Sequence, residues 1–451
     1  MKKALIFILI GVLLGAAAGW AFIRYVLPLW QPSHVDNTFY ETTSRLDKGG
    51  EVFVYLHAEQ VTRAVRAVLD GFVKAAELLP DEGRTKAGPG FAATRLMFEN
   101  YGLDEISGLG ISSFSFKPGL HRVRFVLHHR PGKNLGLIWN TAGTAPRPLD
   151  ELTLLPADTA LAVSQDINIA ELIEWAGRSG SQAADAEGKG SPGPSPDQII
   201  ALMKGALQMA GIDFDRLIAS YGGRFGYLIT LDTEKRVALP ARDKPVLIPE
   251  PAFALFIRVN DDYLFDTIKA KAAESGKPQA GGDKDAQKIV FPPILAPFPV
   301  EPAVAQKGGW LVVASRPSLL DAVLSGAGPR LTADKEFKEI TARLPRKGNG
   351  FSYISPRLMR AAAQAMRENL ADFPAASALA RIAGILDRSK GLCQIREVSE
   401  RGIVATIHHG FDVASLPELV DALADIVRKS AEAGKTAAAA PPEEEPAQRF
   451  D

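Results

Sequence analysis

The chain has 451 residues, room for two or three domains at ~150 residues each. Lysine plus arginine equals aspartate plus glutamate, 52 against 52, so no net field draws it to nucleic acid. A single cysteine, Cys393, excludes an intramolecular disulfide framework and, between Leu392 and Ile395, reads as a small buried hydrophobe.

Met1, Lys2 and Lys3 precede residues 4–23, a run with no charged side chain. As a helix this run is ~30 Å long, enough to cross a bilayer, and the two lysines hold its amino end in the cytoplasm. Trp20, Tyr25 and Trp30 suit the interfacial region. Ala16, Ala17 and Ala18 offer a cleavage site, so the alternative is a signal peptide and a soluble periplasmic product. Apolar residues continuing to Trp30 favour an uncleaved anchor over residues 1–30. Either way the bulk of the chain is exported, and no cysteine follows the run to support lipoprotein processing. Gly11, Gly15 and Gly19 make a GxxxGxxxG face through which two membrane helices approach, a route to a homodimer. Residues 31–44, polar and with Pro32, read as a tether.

Beyond the tether one pattern recurs: a short strand, a polar cap, then an amphipathic helix. Its clearest copy is 154–176, where Leu161 and Val163 alternate with small or polar residues. Asp166 and Asn168 then stand where a helix begins, and Ile169, Leu172, Ile173 and Ala176 make its apolar stripe. The same order occurs at 52–65, 253–268, 310–324 and 351–363, with Ser315 and Ser355 near prolines at two helix starts. The first and last copies share Arg-Leu, then Phe-x-Tyr (Arg45, Leu46, Phe53, Tyr55; Arg343, Leu344, Phe351, Tyr353), which argues for an internal repeat.

The first module, 45–150, continues with a helix near 91–101 and a hairpin over 111–116 and 121–129. The central region, 151–342, carries two stretches too poor in apolar residues to pack, 178–197 and 274–288, read as flexible insertions. Between them 197–220 is helical by pattern, and strands 225–231 and 252–259 bracket a proline-containing connector. Residues 289–305 are apolar and carry five prolines, which forbid a central strand or helix. Phe291, Ile294, Leu295, Phe298 and Val300 are the candidate ligand or partner surface there. The last module, 343–430, repeats the first: strand 351–354, helices 356–370 and 374–386, and a hairpin over 391–398 and 402–409. Ser415 and Glu418 form a capping box for a closing helix to about Ser430, and 431–451 reads as a disordered tail.

No local catalytic, cofactor or metal motif stands up. AGKT at 433–436 lacks the earlier glycine of a phosphate loop, which Lys429 replaces, and follows a helix instead of a strand. HExxH, GxSxG and SxxK are absent from the sequence. His128, His129, His408 and His409 end equivalent strands, but neighbours on a strand face opposite ways, so a capping or surface role is expected. Asp213, Asp215, Asp261 and Asp262 stand at helix starts, where the dipole favours them.

The segments LPADTALAVSQDI (155–167), GGRFGYL (222–228), GGWLVVASRPSLLDAV (308–323) and LTADKEFKEITARLP (331–345) resemble an uncharacterised bacterial family. Its members are membrane-anchored, with a domain of unknown function opening Leu-Pro-Ala-Asp-Thr-Ala. The resemblance covers about 152–355, brings no catalytic residues with it, and implies an exported, non-enzymatic envelope protein. The residues themselves predict an α+β fold of interlocked β-α-α-β-β units, mostly antiparallel, with helices on one face. They lead to a non-catalytic binder or scaffold of envelope components, single-pass in the inner membrane. The alternative is a carrier or sensor of a hydrophobic ligand such as a lipid, and an enzyme without a local motif stands third.

Overall fold

The computed structural model describes residues 38–439 except 79–80, 131–135, 144, 187–195, 241–244, 275–278, 281–287, 296–298, 327, 371–372 and 374. The expected anchor, with Gly11, Gly15 and Gly19, lies outside the described residues. No described helix is long and apolar enough to cross a membrane.

All five strand-then-helix stretches take that form. β1 (Val52–His57) leads into α2 (Ala58–Glu77), after a short α1 (Thr38–Thr43). α3 (Asp81–Asn100), β2 (Ile106–Lys117) and β3 (Leu120–His129) complete the first segment. β4 (Thr159–Asp166) leads into α4 (Ile169–Ala186), followed by α5 (Pro196–Met209), α6 (Phe214–Ser220), β5 (Tyr221–Leu239) and β6 (Val246–Val259). β6 leads into α7 (Tyr263–Glu274), followed by β7 (Gln279–Ala280), β8 (Lys288–Val290) and β9 (Ala303–Lys307). β10 (Trp310–Ala314) leads into α8 (Pro317–Leu324) and α9 (Lys335–Thr341). β11 (Gly350–Ile354) leads into α10 (Pro356–Asn369), α11 (Ala376–Arg388), β12 (Leu392–Ser399), β13 (Gly402–His409) and α12 (Leu416–Ala439).

The thirteen strands form one sheet in the order β1-β2-β3-β13-β12-β11-β4-β5-β6-β10-β9-β8-β7, with every pairing antiparallel. The fold is therefore α+β on a single large sheet. Two joints fuse segments remote in sequence: β3 on β13, running from His128 opposite Gly402 to His121 opposite His409, and β11 on β4, with Phe351 opposite Ser164.

Directly opposed residues point to one side of an antiparallel sheet, so register assigns each side chain to a face. Ala162, Leu228, Ala254, Phe256, Val312, Phe351, Tyr353, Cys393 and Ile395 share one face. They form the main buried core with Leu154 and Leu155, Leu319, Leu320 and Val323 of α8, and Phe337 and Ile340 of α9. Cys393 is wholly buried there, and burial pushes its thiol far above the usual range, so it is inert at neutral pH. α1 lies on the same face at the other end, where a Cβ on Gly108 or Gly110 would strike Thr42.

Several boundaries depart from the sequence reading. Residues 178–186, expected to be flexible, continue α4, because their alanines and glutamine favour a helix more than their polarity opposes it. In the second insertion Gln279 and Ala280 pair with Val290 and Ile289. The stretch 197–220 is two helices: Gly211 turns at φ +73°, and Asp213 caps α6 by accepting from the N–H groups of Asp215 and Arg216. The expected connector between β5 and β6 is largely an extension of both strands. Pro249 and Pro251 are tolerated because β10 ends opposite Ala254, leaving that side of β6 with no neighbour demanding an N–H. The closing helix runs to Ala439 through an alanine-rich stretch, so 431–439 is not a disordered tail, and the AGKT residues are helical.

Candidate functional site

The face opposite the core is built from the other residue of each alternating pair. Across adjoining strands it carries Val52 and Val54, Leu109 and Ile111, Val123 and Phe125, then Ile403 and Ile407. Ser352 and Ile354, Leu161 and Val163, Tyr227 and Ile229, and Phe253 and Leu255 continue the row. Gln394 and Arg396 of β12, Gln165 of β4 and the histidines at one end put larger polar groups among them.

None of these side chains belongs to the main core. Those on central strands are half-buried, as an uncovered sheet face must be when each residue is shielded only by its strand neighbours. Where that shielding is thinner the exposure rises, to 47% at Val54, 44% at Phe253 and 41% at Tyr227. Among the described residues a hydrophobic cluster covers this face at its far end, where Phe265 and Ala272 of α7 pack with Val259, Ile289, Val304 and Leu311. Nine strands, β1 through β6 in sheet order, thus present an open apolar face roughly 38 Å across at ~4.8 Å per strand.

Charge is concentrated on the core side. Arg224, 3% exposed, donates through Nε to Asp166 Oδ1 at 2.7 Å and through Nη1 to Glu151 Oε2 at 2.7 Å, and its Nη2 reaches Gly348 O at 2.8 Å. Arg147 donates to the same Asp166 oxygen at 3.0 Å, Asn349 Nδ2 to the other at 3.0 Å, and Ser164 Oγ to Glu151. Two cations face two anions with their lone pairs occupied, a clamp between segments and not an open reaction site. Asp166 therefore does not cap α4 as expected; Asn168 does, accepting from Glu171 N–H at 3.3 Å.

A capping or surface role is expected of the four histidines from the sequence; in the structure His128, His129 and His408 are buried, and His409 is half-buried on the open face. A polar ring at a core-facing strand position needs partners, and the structure supplies them from distant sequence. His128 lies 2.7 Å from Glu41 of α1 through Nε2 and 2.6 Å from Ser107 Oγ through Nδ1. The His128 hydrogen bond holds the Glu41 carboxyl below its usual range, and burial pushes His128 down. The ionised Glu41 thus accepts a hydrogen bond from Nε2–H, and Nδ1 accepts from Ser107. The chain resembles a nucleophile–base–acid relay, yet Ser107 is 1% exposed, and the relay's direct effect is to hold α1 on the sheet. His129 Nε2 meets Glu105 at 2.9 Å, and His408 Nδ1 donates to Ile340 O at 2.7 Å. His128 and His409 sit at opposite ends of the β3–β13 pair, so the two histidine pairs cannot share a metal. Among the described residues no group of three or more His, Cys, Asp or Glu is placed to hold one.

The cavity beside Ser107 holds about 210 Å³ and is lined by Glu59, Arg63, Arg66, Asp104, Glu105 and Arg130 among others. It is smaller than the ~300 Å³ at which ligand pockets begin, and charged throughout. A wider one of about 460 Å³ is lined by Asp158, Asp232, Glu250, Arg316 and Arg357 and is likewise polar.

The proline-rich candidates scatter. Phe291 packs on the cluster under α7, Ile294 is 56% exposed, and Ile294–Leu295 pairs with Pro299–Val300 in a separate two-stranded ribbon. Val300 is half-buried, and Phe298 lies outside the described residues. Sequence reasoning missed the open face because alternation shows that a strand has two faces but not which one stays bare. The signal was present: Leu161, Val163, Tyr227, Phe253 and Leu255 are large and apolar on a face that their small partners Ala162 and Ala254 do not share.

Compared with known protein families, curated proteins and solved structures, the chain matches none of them.

Proposed function

We propose that the chain binds the hydrocarbon part of a lipid along the open face of its sheet, as an exported, membrane-tethered protein of the bacterial envelope. The observation that carries this is the largely apolar face from β1 to β6, with Val54, Ile111 and Phe125 toward one side and Leu161, Ile229 and Phe253 toward the other. Monomeric proteins rarely leave contiguous apolar surface beyond a few hundred Å² in water, and surfaces that do are commonly interaction sites. The tether, the non-enzymatic envelope role and the family resemblance enter this reading from the sequence. So does the internal repeat: strand, helices and hairpin follow in the same order at 52–129, 159–259 and 350–409.

The test is native mass spectrometry on residues 38–439, exported to the periplasm and purified without detergent. Lipid-sized adducts are expected on the wild type and should disappear from a Tyr227→Glu, Phe253→Glu double variant, whose substitutions fall at exposed positions. A clean apo mass for the wild type would sink the lipid reading. The scaffold reading would then lead, with crosslinking to envelope neighbours as its test.

A further inference from the structure

We infer that β1 is a dimerisation edge, pairing antiparallel with β1 of a second copy of this chain. The inference is independent of the lipid reading. Among the described residues β1 ends the sheet and pairs with one strand, β2. Its sequence, Val-Phe-Val-Tyr-Leu-His, has no lysine, no proline and no bulge within the paired run, the devices by which edge strands normally avoid association. Val52 and Val54 are exposed on the open face and Phe53 on the other, at 43% or more each. Beside them α1 exposes Phe39 and Tyr40, and Phe39 sits edge-on to Tyr55 at 4.9 Å.

The opposite edge is built differently. Among the described residues it consists of two-residue β7 on three-residue β8, which offers little to pair with. Among the described residues β1 is the one long strand at an edge of the large sheet, and a twofold pairing of β1 with itself consumes that edge, so the assembly closes at two copies. A strand exposed for an unrelated partner would need no such closure.

Self-pairing also suits the chemistry of the strand. No like charges meet within it, because Val52–Leu56 carries none. Glu51 precedes the strand and His57 ends it, so antiparallel copies bring each carboxylate toward the other's imidazole. The open apolar face then continues across the twofold axis, with Val52 and Val54 of one copy beside those of the other. Six residues span only ~20 Å, a small interface for free molecules, which a shared membrane tether would strengthen by concentrating the copies.

The experiment uses the full chain in nanodiscs or mild detergent, with single cysteines introduced in turn at 52, 53, 54 and 56. Cys393 is buried and stays silent under brief oxidation. Intermolecular disulfides are expected at β1 positions near the twofold axis, falling off along the strand, with paired substitutions obeying one antiparallel register. Val54→Lys should abolish crosslinking from a cysteine at 53 while leaving the melting temperature unchanged within a few degrees. Absence of β1 crosslinks from a folded chain overturns the proposal, whether the chain is monomeric, dimeric through its membrane helix, or bound to another protein at this edge.

Discussion

His408 is wholly buried, donates through Nδ1 to Ile340 O, and packs its ring 4.5 Å from that of Phe116. Its other nitrogen, Nε2, finds no partner, so a second proton would be placed in an apolar setting. Burial pushes its pKa down to about 4, against ~6.5 for a free imidazole. As pH falls the unfolded chain takes up the proton first. The stability this group supports is thus complete above pH ~6.5 and is lost toward pH ~4, by roughly 3 kcal/mol at ~1.4 kcal/mol per pH unit. His408→Asn keeps a donor for Ile340 O and cannot titrate. Urea unfolding at pH 7 and pH 4.5 should therefore show a smaller acid loss in the variant than in the wild type. Equal losses would mean that His408 does not control this dependence. Arg224 answers to a different rule. Arg224→Met leaves Asp166 and Glu151 buried without their main counter-charge, and breaking such a pair costs about 3–5 kcal/mol in urea unfolding. A loss below 1 kcal/mol would show that the clamp is not a stabilising unit.

Ser355 and Ser315 look alike in sequence, each one or two residues before a proline that opens a helix. Only Ser355 caps: its Oγ accepts from Leu358 N–H at 3.0 Å, whereas Ser315 Oγ accepts from Phe253 N–H across the sheet. Ser355→Ala should cost about 1 kcal/mol and increase exchange of the first-turn amides of α10. Ser315→Ala should instead expose the Phe253 amide, with α8 unaffected because Pro317 already sets its first turn. Hydrogen exchange resolved by residue separates the two outcomes. The contrast also marks what was legible in the sequence. Hydrophobic period placed all five strand–helix junctions, and the elements of 350–409 to within two residues, because it is local. The pairing of β3 with β13 and of β11 with β4 was not legible, since strands hundreds of residues apart leave no shared local mark. The buried partners of His128 and Asp166 were hidden for the same reason: Glu41 and Arg224 are 87 and 58 positions away. The bare face was hidden because it depends on where α8 and α9 settle.

At the scale of the whole molecule, the last segment copies the first in element order yet does not hold its own core. Phe351 and Tyr353 of β11 stack edge-on with Phe337 of α9, which precedes the segment. β11 takes one of its two neighbours from β4, and Asn349 binds Ala145 O and Asp166. Arg224 of β5 reaches Gly348 O, so the clamp ties the start of this segment to the middle of the chain. Excising 343–439 would open the β11 and β13 edges at once and leave Cys393 and Ile395 without Leu155, Leu228 and Phe256 in their cluster. Small domains have little stability to spare, and losing one wall of a core removes it. The fragment 343–439 expressed alone should accordingly give a poorly dispersed amide spectrum and no cooperative melt. In the intact chain Arg224→Met should speed amide exchange in β4, β5 and β11 together. A folded fragment, or a change confined to β5, would mean that the segments are autonomous units merely laid side by side; a shared loss would mean that the long-range pairings create one cooperative sheet from segments that cannot stand alone.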